Sequence, residues 1–516
     1  MSEWYLDSWM KIGLLAVLSS VFLSKVALTF RKALSSELRQ IPGPWYAMWT
    51  SLWLKLQVLQ GRRVHYIHAL HQSYGMQAPF HKFHHAWAHA DTIAPDAGRF
   101  VRISPTEVSI SDLDSFKTIH RVGSGFHKSE WYLRFNESAH PGIFAMTDPK
   151  QHAARRRLFA QPFSNSYIQT FEPAVRQKVD LAVAKIKRDA ASGSADILKW
   201  FTFMATDVSG ELSFGRSFDM LQREEKNPYI RDLETALMIA GMRSELRPLF
   251  TIASYIPWGT LQHTLAIDKR LSSYGEKAVQ NHKAHVATEK GPDATSLFSK
   301  FLDPTKNQEL SDADIAQEAS NLIVAGSDTT AVSLTYLVWA VLHPANSHVR
   351  NTLESEINQL PPDARASDLT ALPYLKAVVD ETLRLYGAAP GSLPRVVPAA
   401  GTTLGPYHIP SGVTVSTQAF TMHRDPSIFA DPERFDPSRW KRPTQAMKDA
   451  YSPFGAGSRT CIGMHLAMLE LLLGAFIFFK QCPEAVLAPA TTDESMDFVN
   501  YFLIAPKSHR CLIRSR

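Results

Sequence analysis

The chain has 516 residues, 45% apolar and 20% charged, an ordinary globular composition that excludes wholesale disorder and collagen-like repeats. Its three cysteines, Cys461, Cys482 and Cys511, form no CxxC pair, which excludes a disulfide scaffold and a zinc ribbon. The net charge is +6 with no dense Lys/Arg run, so nucleic acid is not the expected partner; a basic patch for an acidic protein is the better use of the excess.

The segment from Trp9 to Phe30 is mostly apolar and long enough to span a bilayer, which takes about 20 residues. Lys11 and Lys25 can snorkel to the interface. Arg31, Lys32 and Arg39 follow, so the body is expected on the cytoplasmic side. No small-residue cleavage site follows, which favours an uncleaved anchor over a signal peptide. Residues 1–40 therefore read as anchor and basic flank, and residues 41–516 as one large domain. In Ile41-Pro42-Gly43-Pro44-Trp45 two prolines make a stiff joint. The sequon Asn136-Glu137-Ser138 would face the cytoplasm unused.

Phe100–Ile103 and Glu107–Ile110 alternate around Ser104-Pro105 and predict a hairpin. Helical periodicity dominates residues 112–390. Its clearest member runs from Ser311, which with Asp314 forms a capping-box pattern, to about His343, where Pro344 stops it. That is a rod of about 50 Å. Short strands are expected over 390–420, a Pro-, Arg- and aromatic-rich loop over 423–458, and an apolar helix from Gly463 to about Phe479. The fold class is mainly α with small β-sheets, α+β.

The decapeptide Phe454-Gly455-Ala456-Gly457-Ser458-Arg459-Thr460-Cys461-Ile462-Gly463 carries the chemistry. Its glycines allow a tight backbone, Arg459 brings positive charge, and the next helix aims free N–H groups at the sulfur. These features favour thiolate. A lone cysteine before an apolar helix is more often a core residue, but this loop is not core composition. A thiolate here could be a nucleophile or a metal ligand; a nucleophile would want a histidine nearby as base, and none is adjacent. F-x-x-G-x-R-x-C-x-G resembles the haem-binding loop of the cytochrome P-450 family, the haem-thiolate monooxygenases, and three further motifs follow the family's order over residues 41–516.

The resemblance implies haem b, held between the long central helix and the cysteine-loop helix, with Cys461 as the axial ligand. Ala325-Gly326-Ser327-Asp328-Thr329-Thr330 groups weak helix formers and predicts a local distortion. It resembles the family's A-G-x-D-T-T, in which Asp328 and Thr329 would deliver protons to dioxygen and Gly326 would leave room near the iron. In isolation it would read as a satisfied polar patch. Glu381 and Arg384, i and i+3, would be an ordinary surface ion pair elsewhere; here they resemble the family's E-x-x-R, with Arg434 of Pro432-Glu433-Arg434-Phe435 as third member. Arg459, Arg395, His152 and Arg156 are the expected propionate contacts, His152 standing where the family has Trp. Arg155 and Arg157 read as a solvated face or a reductase-docking site.

Residues 76–98 break the pattern between Tyr74-Gly75 and Arg99. They read as an insertion, either a surface loop or a retained intron. His81, His85 and His89 recur at i+4, yet no carboxylate or cysteine completes a metal site. The family reading implies oxygen insertion into a lipophilic small molecule such as a polyketide, terpenoid or alkaloid. It also implies an endoplasmic-reticulum membrane location and NADPH-cytochrome P-450 reductase as electron donor, with cytochrome b5 as an optional second donor, since no flavin or dinucleotide fingerprint occurs. The rivals are a haem-thiolate isomerase, dehydratase or coupling enzyme, and a non-catalytic haem binder. Family position places residues 126–134, 238–250, 393–397 and 498–502 around the substrate.

Overall fold

The computed structural model describes residues 2–74, 97–135, 140–267 and 310–516, with 269–271, 273, 274, 276, 277, 280, 296 and 297 between them. The sequon and the three insertion histidines lie outside the described residues.

Helices make the body and the sheets are small, the mainly α architecture that the periodicity predicts. The central helix is Asp312–Leu342. Asp314 N–H donates to Ser311 Oγ and Ser311 N–H to Asp314, closing the capping box. The helix packs on Ile197–Phe214 and on Met464–Gln481, the helix after the cysteine loop. At the second crossing an added Cβ on Gly474 would lie 2.8 Å from Leu334, so glycine sets the approach. The expected distortion at 325–330 is absent. Ser327 Oγ donates to Ile323 O at 2.7 Å and Thr329 Oγ1 to Ala325 O at 2.5 Å; back-bonding to the preceding turn satisfies both hydroxyls inside a continuous helix.

Asp312–Leu342 and Met464–Gln481 are long and apolar enough to cross a membrane, but 61% and 67% of their apolar windows are buried inside the protein. Their apolar surface forms the core with Trp200, Phe201 and Phe203. The amino-terminal helix Ser2–Ser35 instead exposes Val17, Leu23, Leu28 and Phe30. The proline joint after it is held to the body: Arg102 N–H donates to Pro42 O at 2.7 Å.

The largest sheet orders its strands Phe100–Ser104, Glu107–Ile110, Thr414–Thr417, Arg395–Val396 and His127–Lys128. The first two form the expected antiparallel hairpin, Phe100 opposite Ile110. The second and third run parallel, Val108 opposite Val415. The last pairing sets Lys128 directly opposite Arg395. A smaller sheet pairs Leu512–Ser515 with Ala195–Asp196.

One buried carboxylate ties the cysteine region to this body. Arg384, on Pro373–Tyr386, grips Glu381 with two bonds of 2.8 and 2.9 Å. The same guanidinium donates to His423 O and Pro432 O. The third cation is Arg439, not Arg434: Arg439 Nε donates to Glu381 Oε1 at 3.0 Å, while Arg434 is exposed and offers only its carbonyl. Trp440 Nε1 and Asp436 N–H complete the shell at 3.0 and 2.9 Å. Both Glu381 and Arg384 side chains are fully buried. Removing one partner of such a group costs about 3–5 kcal/mol, whereas an exposed side chain changes stability by about 0.5 kcal/mol or less. Arg439→Ala is therefore expected to lower urea stability on the first scale and Arg434→Ala on the second. Equal losses would restore Arg434 to the network.

Candidate functional site

A cavity of about 890 Å³ lies between the central helix and the cysteine loop. Cys461, Phe454, Gly455, Arg459, Gly463, Arg395, His152, Arg156, Gly326 and Thr329 all line it. Asp328 does not; it sits half-buried on the same helix. Each of the four expected substrate segments contributes to the wall, through Trp131, Gly241, Leu393 and Phe502 among others.

The loop is shaped by two glycines in the left-handed region, Gly455 at φ +71 and Gly457 at φ +66. Cys461 N–H donates to Phe454 O at 2.8 Å. The Cys461 side chain is exposed, but towards the cavity it lines, and protein surrounds it on its other sides. Burial therefore raises the thiol above its ordinary value, against the Gly463 N–H and the Arg156 guanidinium, which lower it. The loop alone does not make the thiolate expected from sequence; a bound metal would, since coordination deprotonates a thiol. Nor is Arg459 the cation beside the sulfur. Its guanidinium donates to Met146 O at 2.8 Å and Thr147 O at 3.4 Å, and Arg156, which donates to Thr460 O at 2.8 Å, takes that place.

Positive groups crowd one wall. Burial, then Arg395 and Arg459, push the Lys128 amine well below its ordinary value. Burial, then Arg395, bring Arg459 down to about 10. Burial, then Arg459, Lys128, Arg156 and Arg395, bring His152 down to about 3, so its ring is neutral. Burial lowers Arg395, whose Nε has no partner. Lys128 donates to Phe144 O at 2.6 Å and lies 4.0 Å from the centre of the Tyr132 ring. No carboxylate pairs with Lys128 or Arg395 among the described residues. Like charges opposed across strands destabilise a sheet, and an anion in the cavity would relieve this wall.

Sequence reasoning missed Lys128, because only strand pairing reveals its neighbour Arg395. It also placed Arg155 outside; Arg155 turns inward and donates to Glu318 at 2.9 Å and Asp314 at 3.1 Å, while Arg157 is exposed. At Gly326 an added Cβ would meet Ser209 Oγ at 2.4 Å. The missing side chain thus serves close helix packing at the cavity wall.

An added Cβ on Gly457 would fall 1.8 Å from His120 O, a backbone atom that cannot rotate away. At Gly412, with φ +77, nothing lies within 4 Å. Gly412→Ala is expected to cost only left-handed strain, roughly 1–2 kcal/mol. Gly457→Ala must also undock the cysteine loop. The two variants compared by thermal unfolding should differ; equal shifts would mean the loop yields freely.

The sequence profile of the cytochrome P450 family matches residues 98–508. The chain is 42% identical over 485 residues to cytochrome P450 monooxygenase tazI of Aspergillus terreus, covering 93% of this chain and 94% of that one. It is 37% identical to cytochrome P450 monooxygenase stcB of Emericella nidulans, over 95% and 90%. It is 31% identical to a methylphloroacetophenone oxidase of Cladonia uncialis, over 80% and 88%. The crystal structure of the cytochrome P450DA heme domain superposes with a TM-score of 0.66 at 19% identity, covering 80% and 88%, which speaks for the fold. The cavity between cysteine loop and central helix thus belongs to a chain related to these enzymes over nearly its whole length, and the chain is a member of the cytochrome P450 family of haem-thiolate monooxygenases.

Proposed function

We propose that this enzyme hydroxylates or epoxidises a lipophilic small molecule of fungal secondary metabolism, with O2 and two electrons passed from NADPH through a separate reductase. The observation that carries the reading is the wall where Lys128 and Arg395 oppose each other beside the cavity that Cys461 lines. The residues fit haem b: a sulfur that could ligate its iron, and cations with an orphaned Arg395 Nε that could meet its two propionates. When bound, haem would supply the chemistry of oxygen activation, with Cys461 as the residue that would hold it through sulfur.

The chain's own residues do the rest. Cys461 would ligate the iron, with the Gly463 N–H steadying its sulfur. Arg395, Lys128, Arg459 and neutral His152 would face the propionates, and Arg156 would tie the loop at Thr460. The Thr329 hydroxyl holds its proton on Ala325 O and leaves its lone pairs open to accept another. Asp328, next to it, would bring protons from outside the cavity, as acid to an alcohol relay.

Trp131, Phe135, Phe144 and Phe502 pack on one another at the wall, with ring centroids 4.7 to 6.1 Å apart. Such a surface suits a flat ring. Together with the methylphloroacetophenone oxidase relative, it favours an aromatic polyketide over a terpenoid or alkaloid.

Residues 1–40 would anchor the chain in the endoplasmic reticulum membrane, leaving residues 41–516 as the cytoplasmic catalytic domain. Support comes from the exposed apolar side chains Val17, Val21, Leu23, Leu28 and Phe30 of the first helix and from exposed Leu52, Trp53, Ile252 and Trp258 on and beside the mutually packed helices Leu52–Leu59 and Pro228–Ser254.

The reduced, full-length protein should give the red-shifted Soret band of a thiolate-ligated haem with carbon monoxide, and Cys461→Ala should lose it. A wild-type protein without that band would overturn the assignment. Label from 18O2 should enter the product; an unlabelled product would favour the rivals, with label in water for a coupling enzyme and unconsumed O2 for an isomerase or dehydratase. Thr329→Ala should keep the band and waste NADPH, with less product per electron pair. Unchanged coupling would remove Thr329 from proton handling.

A further inference from the structure

Among the described buried acids that the mechanism leaves unused, one has no cation beside it. Glu470 lies on Met464–Gln481 in the apolar run Leu466 to Phe479 and is 1% exposed. Its Oε2 accepts from Thr330 Oγ1 at 3.1 Å, and its Oε1 has no partner. Thr330 follows Asp328 and Thr329 on the central helix, and both Thr330 and Glu470 touch the cavity. The contact falls at the close crossing of the two helices, one turn before the Gly474–Leu334 approach. A carboxylate at such a place needs a cation or several N–H donors. Among the described residues Glu470 has one hydroxyl.

We propose that Glu470 works as an uncharged carboxylic acid, a positioning residue that locks Thr330 and so fixes the oxygen-handling segment against the cysteine-side helix. This rests on the monooxygenase reading for why the segment's placement matters. As a neutral acid Glu470 accepts from Thr330 through its carbonyl oxygen and carries its proton on the oxygen that lacks a partner. Ionised, it would set a negative charge between the two helices that hold the cofactor.

The surrounding charges do not alter this. Asp328 lies on the central helix; Asp380, Glu381 and Arg384 on Pro373–Tyr386; Lys178 and Asp180 on Glu172–Ala191; His465 and Lys480 on its own helix. None of them shifts Glu470: burial raises it to about 8, and the Thr330 hydroxyl is the opposing influence. The sign follows. From the ordinary 4.5 up to about 8 the unfolded chain has released a proton that the folded protein keeps. The stability conferred by the neutral acid is therefore complete below that window and is lost as pH rises through about 8.

The test uses full-length holoprotein. Infrared spectra of the wild type at neutral pH should show the carbonyl stretch of a protonated carboxylic acid. That band should vanish in Glu470→Gln and shift in Thr330→Val. In urea unfolding across this pH window, wild type should lose stability with rising pH relative to Glu470→Gln, whose amide mimics the neutral acid. Product formed per NADPH should fall in Glu470→Leu and return in Glu470→Gln. Absence of the protonated-acid band, parallel pH profiles, or a Glu470→Gln variant as uncoupled as Glu470→Leu would each overturn the proposal. The infrared and unfolding readings involve no turnover, so failure of the monooxygenase reading is told apart from failure of this one.

Discussion

A buried carboxylate that must be fully paired organises this protein. Glu381 lies in the interior with five donors converging on it: two from Arg384 and one each from Arg439, Trp440 and Asp436. Arg384 spends its remaining N–H groups on carbonyls of the 423–434 stretch. An irregular segment with little regular hydrogen bonding of its own is thereby given one conformation. The His423 ring continues the chain of contacts, accepting from Ser452 N–H at 2.9 Å just before the cysteine loop. The position of Cys461 is thus inherited from a charge pair some distance away in sequence.

Much of this was legible beforehand, and the reasons differ by element. The capping box at Ser311 and the hairpin at Ser104 are local patterns whose chemistry is complete within a few residues. The identity of the third cation was not local. Arg434 and Arg439 lie in one short loop, and only the turn made by Pro432 to Pro437 decides which faces inward. Lys128 was invisible for a related reason. Its meaning arises from a partner brought beside it by a strand more than two hundred residues later. Arg155 was misplaced because an arginine-rich helix looks solvated until its acceptors, Asp314 and Glu318, are found on another helix.

The cavity is a place where ordinary rules of stability are broken together. Cations crowd a small sheet, a thiol is held above its usual titration range, and a carboxyl lies between apolar helices. Such departures cluster where a protein prepares a site for chemistry rather than for its own packing. The central helix shows the opposite economy. Ser327, Thr329, Ser333 and Thr335 give their hydroxyl protons to the turn before them, so a polar segment crosses the core without bending it.

The pairing of Ala195–Asp196 with Leu512–Ser515 has a consequence for how the protein is made. Asp196 also accepts the backbone N–H of Cys511, a contact across 315 residues. At typical rates of translation the early strand waits roughly 15–60 s for its partner to emerge. Throughout that interval the edge of Ala195–Asp196 lacks the pairing it has in the folded protein. Closure of this sheet is accordingly a late event in synthesis, reached only after Asp196 has been followed by 315 further residues.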